Sequence, residues 1–140
     1  MQSFRTLIAV LLAVGSLHAF AADDALYQEL GGAAGIRRIV ADLLPAVQAD
    51  ARINVSFDGV DLEHLAEKLE EQFCDIAGGP CKYSGKDMQT IHEDLKLNHA
   101  HFNALVEDLQ SAMERNQVHS RVQNRLLARL APMHRDVVTK

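Results

Sequence analysis

The sequence predicts an all-α fold, and three observations lead to that prediction. Apolar residues recur every three to four positions through most of the chain, which is the period of a helix that is buried on one side. Glycine and proline fall between these periodic segments, where helices usually end. Nowhere do apolar and polar residues alternate over the length of a strand.

The first 21 residues are predicted to be a cleaved secretory signal peptide. Arg5 supplies a positive charge, residues 7–17 form a short apolar run, and residues 19–21 (AFA) match a small-x-small cleavage site. The apolar run is short for a membrane span, and no stop-transfer segment follows it. We therefore expect an exported, periplasmic protein whose residues 22–140 form one domain, with no membrane contact after cleavage. The net charge of −5 argues against nucleic acid as a partner.

Four apolar stripes predict the main helices. The first follows the break at residues 31–32, and the second runs from an expected N-cap at Asp61 to the Gly-Gly-Pro at 78–80. A loop over 79–86 and a short helix starting near Lys86 come next, and Asn98 is expected to cap the third stripe. The stripes consist of Ile36, Ile39, Val40, Leu43, Leu44 and Val47; Leu62, Leu65, Leu69, Phe73 and Ile76; Phe102, Leu105, Val106, Leu109 and Met113; and Val122, Leu126, Leu130, Met133 and Val137.

Cys74 and Cys81 are the two cysteines of the chain, and both remain after the predicted cleavage. In an oxidising compartment a pair this close in sequence is expected to form a disulfide. The alternative is a metal site, for which two cysteines at this spacing are a poor signal. A disulfide would join the end of the second stripe to the loop before the short helix.

One histidine lies inside the apolar stripe of the short helix. Met88, Ile91, His92 and Leu95 occur at i, i+3, i+4 and i+7, and therefore on one helical face. A histidine in such a stripe is more often a hydrogen-bonded core residue than a ligand. A neutral imidazole against an apolar wall is also what haem iron takes as its proximal ligand. The neighbouring sequence motifs must therefore decide between a core histidine and a haem ligand.

Three motifs resemble those of the truncated haemoglobins, most closely group 1. Residues 26–32 (LYQELGG) are similar to the family's opening L-Y-x-x-L-G-G. Residues 78–92 (GGPCKYSGKDMQTIH) resemble G-G-x-x-x-Y-x-G-[RK]-x-M-x-x-x-H, and residues 101–104 (HFNA) resemble H-F-[DN]-A. The resemblance covers roughly residues 25 to 138. It implies a two-over-two helical sandwich that encloses a b-type haem.

The resemblance assigns most of the candidate haem contacts. His92 matches the proximal ligand, Met88 would contact the porphyrin face, and Phe57 matches an aromatic residue that the family packs against the haem. Three further residues lie where the loop would pass the haem edge, so they are candidates for pairing with the haem propionates. The alternative is that they belong to a solvated loop with no role in haem binding. These three residues are Lys82, Tyr83 and Lys86. The C-x-x-C-H motif of c-type attachment is absent, so a non-covalent haem is expected.

The distal side departs from the family pattern. Members typically place a tyrosine and one or two glutamines where they donate hydrogen bonds to the bound ligand. The matching positions here are Leu44, Leu65 and Leu69. Lys68 is the remaining polar candidate, with Gln72 one turn further on as a weaker one. Lys68 either extends outward to a propionate or to water, or loses its proton and becomes a second iron ligand.

Three functions follow from these residues. The leading one is a haem protein that binds oxygen, nitric oxide or carbon monoxide at one iron, with an unusually apolar distal pocket. The second is a six-coordinate electron-transfer or redox-sensing protein with His92 and Lys68 as ligands, which would need a redox partner. The third is a haem-free helical binding protein. No residues mark a general acid–base pair, so an enzyme is not expected, although nitric oxide or peroxide chemistry at the iron stays open.

Overall fold

The computed structural model describes residues 24–140, which form helices and turns with no β-strand among them. The predicted signal peptide lies outside the described residues. Within residues 24–140, no helix is long and apolar enough to cross a membrane. The α-helices are α1 (Ala25–Glu29), α2 (Gly32–Ala49), α3 (Leu62–Ile76), α4 (Met88–His92), α5 (His99–Arg115), α6 (Ser120–Leu130) and α7 (His134–Val137), with 3₁₀ turns at Asn54–Phe57 and Ala131–Met133. The all-α prediction is confirmed.

Helix α2 lies at the centre of the packing. It packs against both α3 and α5, while α6 contacts α1, α3 and α5. The apolar stripes predicted from the sequence supply the core, because each helix turns its stripe toward its neighbours. The most deeply buried large side chains are Leu26, Ile36, Ile39, Val40, Val47, Met113 and Leu126.

The predicted N-caps of two helices are confirmed. The Asp61 side chain accepts from the His64 backbone N–H at 3.1 Å at the start of α3. At the start of α5 the Asn98 side chain accepts from the His101 N–H at 3.0 Å, and the His101 ring accepts in return from the Asn98 N–H at 3.2 Å. The short helix begins at Met88, slightly later than expected, because Asp87 caps it.

Proline affects two helices differently. Pro45 lacks the N–H of a helix interior, which predicts a kink in α2, and α2 continues through Pro45 to Ala49. The last apolar stripe, in contrast, is divided into α6, a 3₁₀ turn and α7 instead of forming one helix. Pro132 lies in that turn and has no N–H to continue the ladder of α6. The break redirects α7 so that it packs against α4.

The disulfide predicted between Cys74 and Cys81 is present. Their Cα atoms are 5.8 Å apart, within the usual range for a disulfide. The bridge joins the end of α3 to the loop before α4. Gly79 lies within the same turn, and a Cβ there would come within 2.6 Å of the Cys74 Sγ. Close packing around the bridge therefore explains a glycine at this position.

Candidate functional site

A cavity of about 160 Å³ lies between α3, α4 and α5. Its walls are mostly aliphatic and aromatic side chains contributed by helices on every side. Six of the nine residues predicted from the sequence to form a site line it: Leu65, Lys68, Leu69, Tyr83, Met88 and His92. Residues distant in sequence therefore meet at one place.

A smaller cavity of about 90 Å³ lies beside the first. Phe57, the seventh predicted residue, lines this second space, and His92 and Phe102 line both. Two apolar side chains beside the cavities are unusually exposed: Ile91 at 42% and Leu95 at 44%. Exposed aliphatic groups on a concave surface are typical of a binding site for an apolar ligand.

The orientation of His92 is set by a backbone hydrogen bond. Its Nδ1 lies 2.7 Å from the carbonyl oxygen of Met88, one helical turn earlier. Since a carbonyl only accepts, Nδ1 carries the proton and donates. In the neutral ring, Nε2 then holds the free lone pair. A hydrogen bond of this kind is the arrangement that orients a metal-binding imidazole.

Two of the three leucines that match the ligand-facing positions of the family line the cavity, and the third does not. Leu65 and Leu69 line the cavity from α3. Leu44 packs against the core instead, and its neighbour Leu43 lines the cavity. The match of Leu44 to the family's tyrosine position stays a prediction, and successive residues of a helix point in different directions, so Leu43 and not Leu44 reaches this cavity.

Gln72 is a polar side chain in the cavity wall to which the sequence gave little weight. It is only 7% exposed, and its Nε2 donates to the sulfur atoms of Met88 at 3.3 Å and Met133 at 3.6 Å. Thioethers are weak acceptors, so the amide is only weakly satisfied. Its place in the cavity wall could have been found from the sequence, because Gln72 follows Leu69 by three residues and therefore shares its helical face.

Lys68 lines the cavity, but its ammonium is held at the rim. Its Nζ donates to both carboxylate oxygens of Glu71, at 3.0 and 3.1 Å, and to the Ser84 Oγ at 2.7 Å. Hydrogen bonds from Ser84, followed by the bond from Lys68, lower the pKa of Glu71 to about 2. Glu71 therefore remains ionised at neutral pH and pairs with a cationic lysine.

The two remaining predicted residues lie on the surface. Lys82 is 92% exposed, with its Nζ 3.9 Å from an Asp75 carboxylate oxygen, and Lys86 is also exposed. Neither side chain lines the two cavities. Tyr83 points its hydroxyl to the Lys86 carbonyl at 2.8 Å. Burial raises the pKa of Tyr83, which keeps this hydroxyl protonated as a donor. The pairing of these residues with haem propionates stays a prediction.

Comparisons with known proteins identify the family. The model of the bacterial-like globin family matches residues 25–139. A group 1 truncated haemoglobin from Tetrahymena thermophila is 32% identical over 89 residues, which is 64% of this chain and 74% of that relative. One from Tetrahymena pyriformis is 27% identical over 115 residues, or 82% of this chain and 95% of the relative.

Solved structures agree with this assignment and with the predicted helical sandwich. The crystal structure of the truncated haemoglobin from Tetrahymena pyriformis in its Fe(III) form superposes with a TM-score of 0.79 at 27% identity. The match covers 82% of this chain and 98% of that one. The family model spans most of the chain, one relative is more than 30% identical, and the fold is shared. This chain therefore belongs to the bacterial-like globins and is a group 1 truncated haemoglobin.

Proposed function

We propose that the protein binds one b-type haem non-covalently, with His92 as the proximal ligand, and that it binds diatomic ligands at the iron. The observation that carries this proposal is the bond from His92 Nδ1 to the Met88 carbonyl. It leaves the Nε2 lone pair free on a side chain that lines both apolar cavities. Membership of the globin family implies haem-based ligand binding and thus supports the same proposal.

The residues present fit a haem. Residues 24–140 contain no cluster of three or more histidine, cysteine or acidic side chains that suits a bare metal ion. A metal carried by a macrocycle needs only one or two protein ligands, and His92 offers one. The cavity of about 160 Å³ is open to solvent and is lined mostly by apolar side chains, a surface that an apolar group such as a porphyrin would cover.

Non-covalent attachment is supported by the state of the cysteines. Cys74 and Cys81 are joined to each other, so neither offers a thiol for a thioether link. The same bridge supports the proposal of an exported, periplasmic protein, since disulfides persist in oxidising compartments.

The distal wall determines which ligands are retained. Haem supplies reversible coordination of oxygen, nitric oxide or carbon monoxide at its iron. Leu65 and Leu69 exclude water from the α3 side of the cavity but donate no hydrogen bond. Oxygen retention depends on such a donor more than carbon monoxide binding does, because bound oxygen carries more negative charge. We therefore propose weak oxygen retention, and ligand binding instead of catalysis, because no general acid–base pair lines the cavity.

A second candidate function has His92 and Lys68 as the two protein ligands in electron transfer or redox sensing with a partner. The position of Lys68 in the cavity wall favours it. Direct ligation requires the amine to lose its proton and to leave both Glu71 and Ser84. Haem-free binding of another apolar ligand is the third alternative, and the same experiment separates all three.

The test is haem titration of the purified protein, followed by absorption spectra of the ferric, ferrous and carbonmonoxy forms. We expect the parent to develop a Soret band at one haem per chain, and His92→Ala to lose stable haem binding. His64→Ala is the matched control, because His64 is an exposed histidine on α3. Full haem retention with unchanged spectra in His92→Ala would exclude the proximal role, and a parent without a Soret band would indicate the haem-free alternative. A low-spin six-coordinate ferric spectrum without added ligand would indicate the second function.

A further inference from the structure

Lys68 is held by a cluster built from two separate elements. Helix α3 contributes Glu71, one turn after Lys68, and the loop before α4 contributes Ser84. The Lys68 ammonium has three N–H donors, and three acceptors lie within 2.7–3.1 Å: both Glu71 oxygens and the Ser84 Oγ. We call these contacts the Glu71–Ser84 lock.

Ser84 is itself fixed in place. Its backbone N–H donates to Glu71 Oε2 at 3.0 Å and its hydroxyl donates to the same oxygen at 2.7 Å. The preceding N–H, from Tyr83, donates to Asp75 Oδ2 at 2.9 Å. Two residues earlier the chain is tied to α3 by Cys81. The loop is therefore attached to α3 at three points, each of which limits how far Ser84 can move.

We infer that Glu71 and Ser84 are positioning residues that hold the Lys68 ammonium at the cavity rim and keep the sixth coordination position of the iron open to external ligands. The inference rests on the proposed haem site. Its physical basis is that one amine cannot donate three hydrogen bonds at the rim and present a lone pair to a metal. The lock thus selects between the two haem functions that the sequence leaves open.

The inference predicts that weakening the lock releases Lys68 onto the iron. Glu71→Gln keeps the shape of the side chain and removes its charge. Glu67→Gln is the matched control: Glu67 lies one turn earlier on α3, its side chain is 66% exposed, and its one ion pair within residues 24–140 is with His64, at 3.9 Å. The double variant Glu71→Gln/Lys68→Met tests whether any change acts through Lys68.

The four proteins are loaded with haem and compared at pH 8 by ferric absorption spectra and by rapid mixing of the ferrous form with carbon monoxide. We expect the parent and Glu67→Gln to lack a nitrogenous sixth ligand. We expect Glu71→Gln to become six-coordinate and low-spin, and to bind carbon monoxide about tenfold more slowly if Lys68 occupies the position nine-tenths of the time. The double variant should regain the parental rate and spectrum.

A second readout does not depend on haem. Hydrogen exchange of the Ser84 amide in the haem-free protein should accelerate in Glu71→Gln and not in Glu67→Gln, because that amide donates to Glu71. If Glu71→Gln took up haem and kept the parental spectra and rates, this inference would be overturned while the proposed haem function would stand. The same would follow if Lys68 were already bound to the iron in the parent. Failure of the parent to take up haem would overturn the proposed function and, with it, this inference.

Discussion

Reduction of the Cys74–Cys81 disulfide should destabilise the haem-free protein by about 2.5 kcal/mol. The two residues are separated by seven positions, so the bridge closes a small ring of about eight residues. The chain-entropy model gives about 8 cal/mol/K of lost freedom in the unfolded state for such a ring, or about 2.5 kcal/mol at room temperature. For a domain of this size, that difference corresponds to a fall of about 10 °C in Tm.

The assay is urea unfolding of the haem-free protein, followed by circular dichroism with and without a phosphine reductant. The control is Cys74→Ala/Cys81→Ala, whose unfolding should not respond to the reductant. Alanine is chosen because Cys74 is buried, and a serine hydroxyl there would need a hydrogen-bond partner. An unfolding midpoint of the parent that is unchanged by complete reduction would refute the reasoning, since the bridge would then contribute nothing to folding.

Two further predictions concern the distal wall and acid stability. Leu69→Gln places a hydrogen-bond donor in the apolar wall of the cavity and should slow oxygen dissociation about tenfold, the factor for a hydrogen bond of ~1.4 kcal/mol. Leu62→Gln, on the same helix but outside the cavity, should leave the dissociation rate unchanged. Equal stopped-flow rates for the two variants would contradict the assignment of this wall. The pKa of Glu71, about 2, lies below its ordinary value of 4.5 because Ser84 and Lys68 stabilise the carboxylate, so its contribution to stability is present above pH 4.5 and is lost as the pH falls toward 2. Urea unfolding at a series of pH values should therefore show the advantage of the parent over Glu71→Gln shrinking in that range, and a constant difference would speak against the lock.

Most of the fold could be predicted from the sequence because its causes are local. The helical stripes, the caps at Asp61 and Asn98 and the bond from His92 to the Met88 carbonyl all act within one or two turns of chain. The family motifs around residues 26–32 and 78–92 then identified the globin fold. The disulfide could be predicted for the same reason, because only seven positions separate its two cysteines.

Contacts between elements were decided by the tertiary structure alone. The sequence could not distinguish Leu43 from Leu44 as the cavity residue, because that depends on the rotation of α2 against its neighbours. It also could not pair Lys68 with Ser84, which lies 16 positions away on a different element. Hydrogen bonds of this kind depend on where the folded chain places a loop beside a helix. Periodicity and propensity describe only the preferences of each segment by itself, so the environment of Lys68 emerges only when α3 and the loop come together.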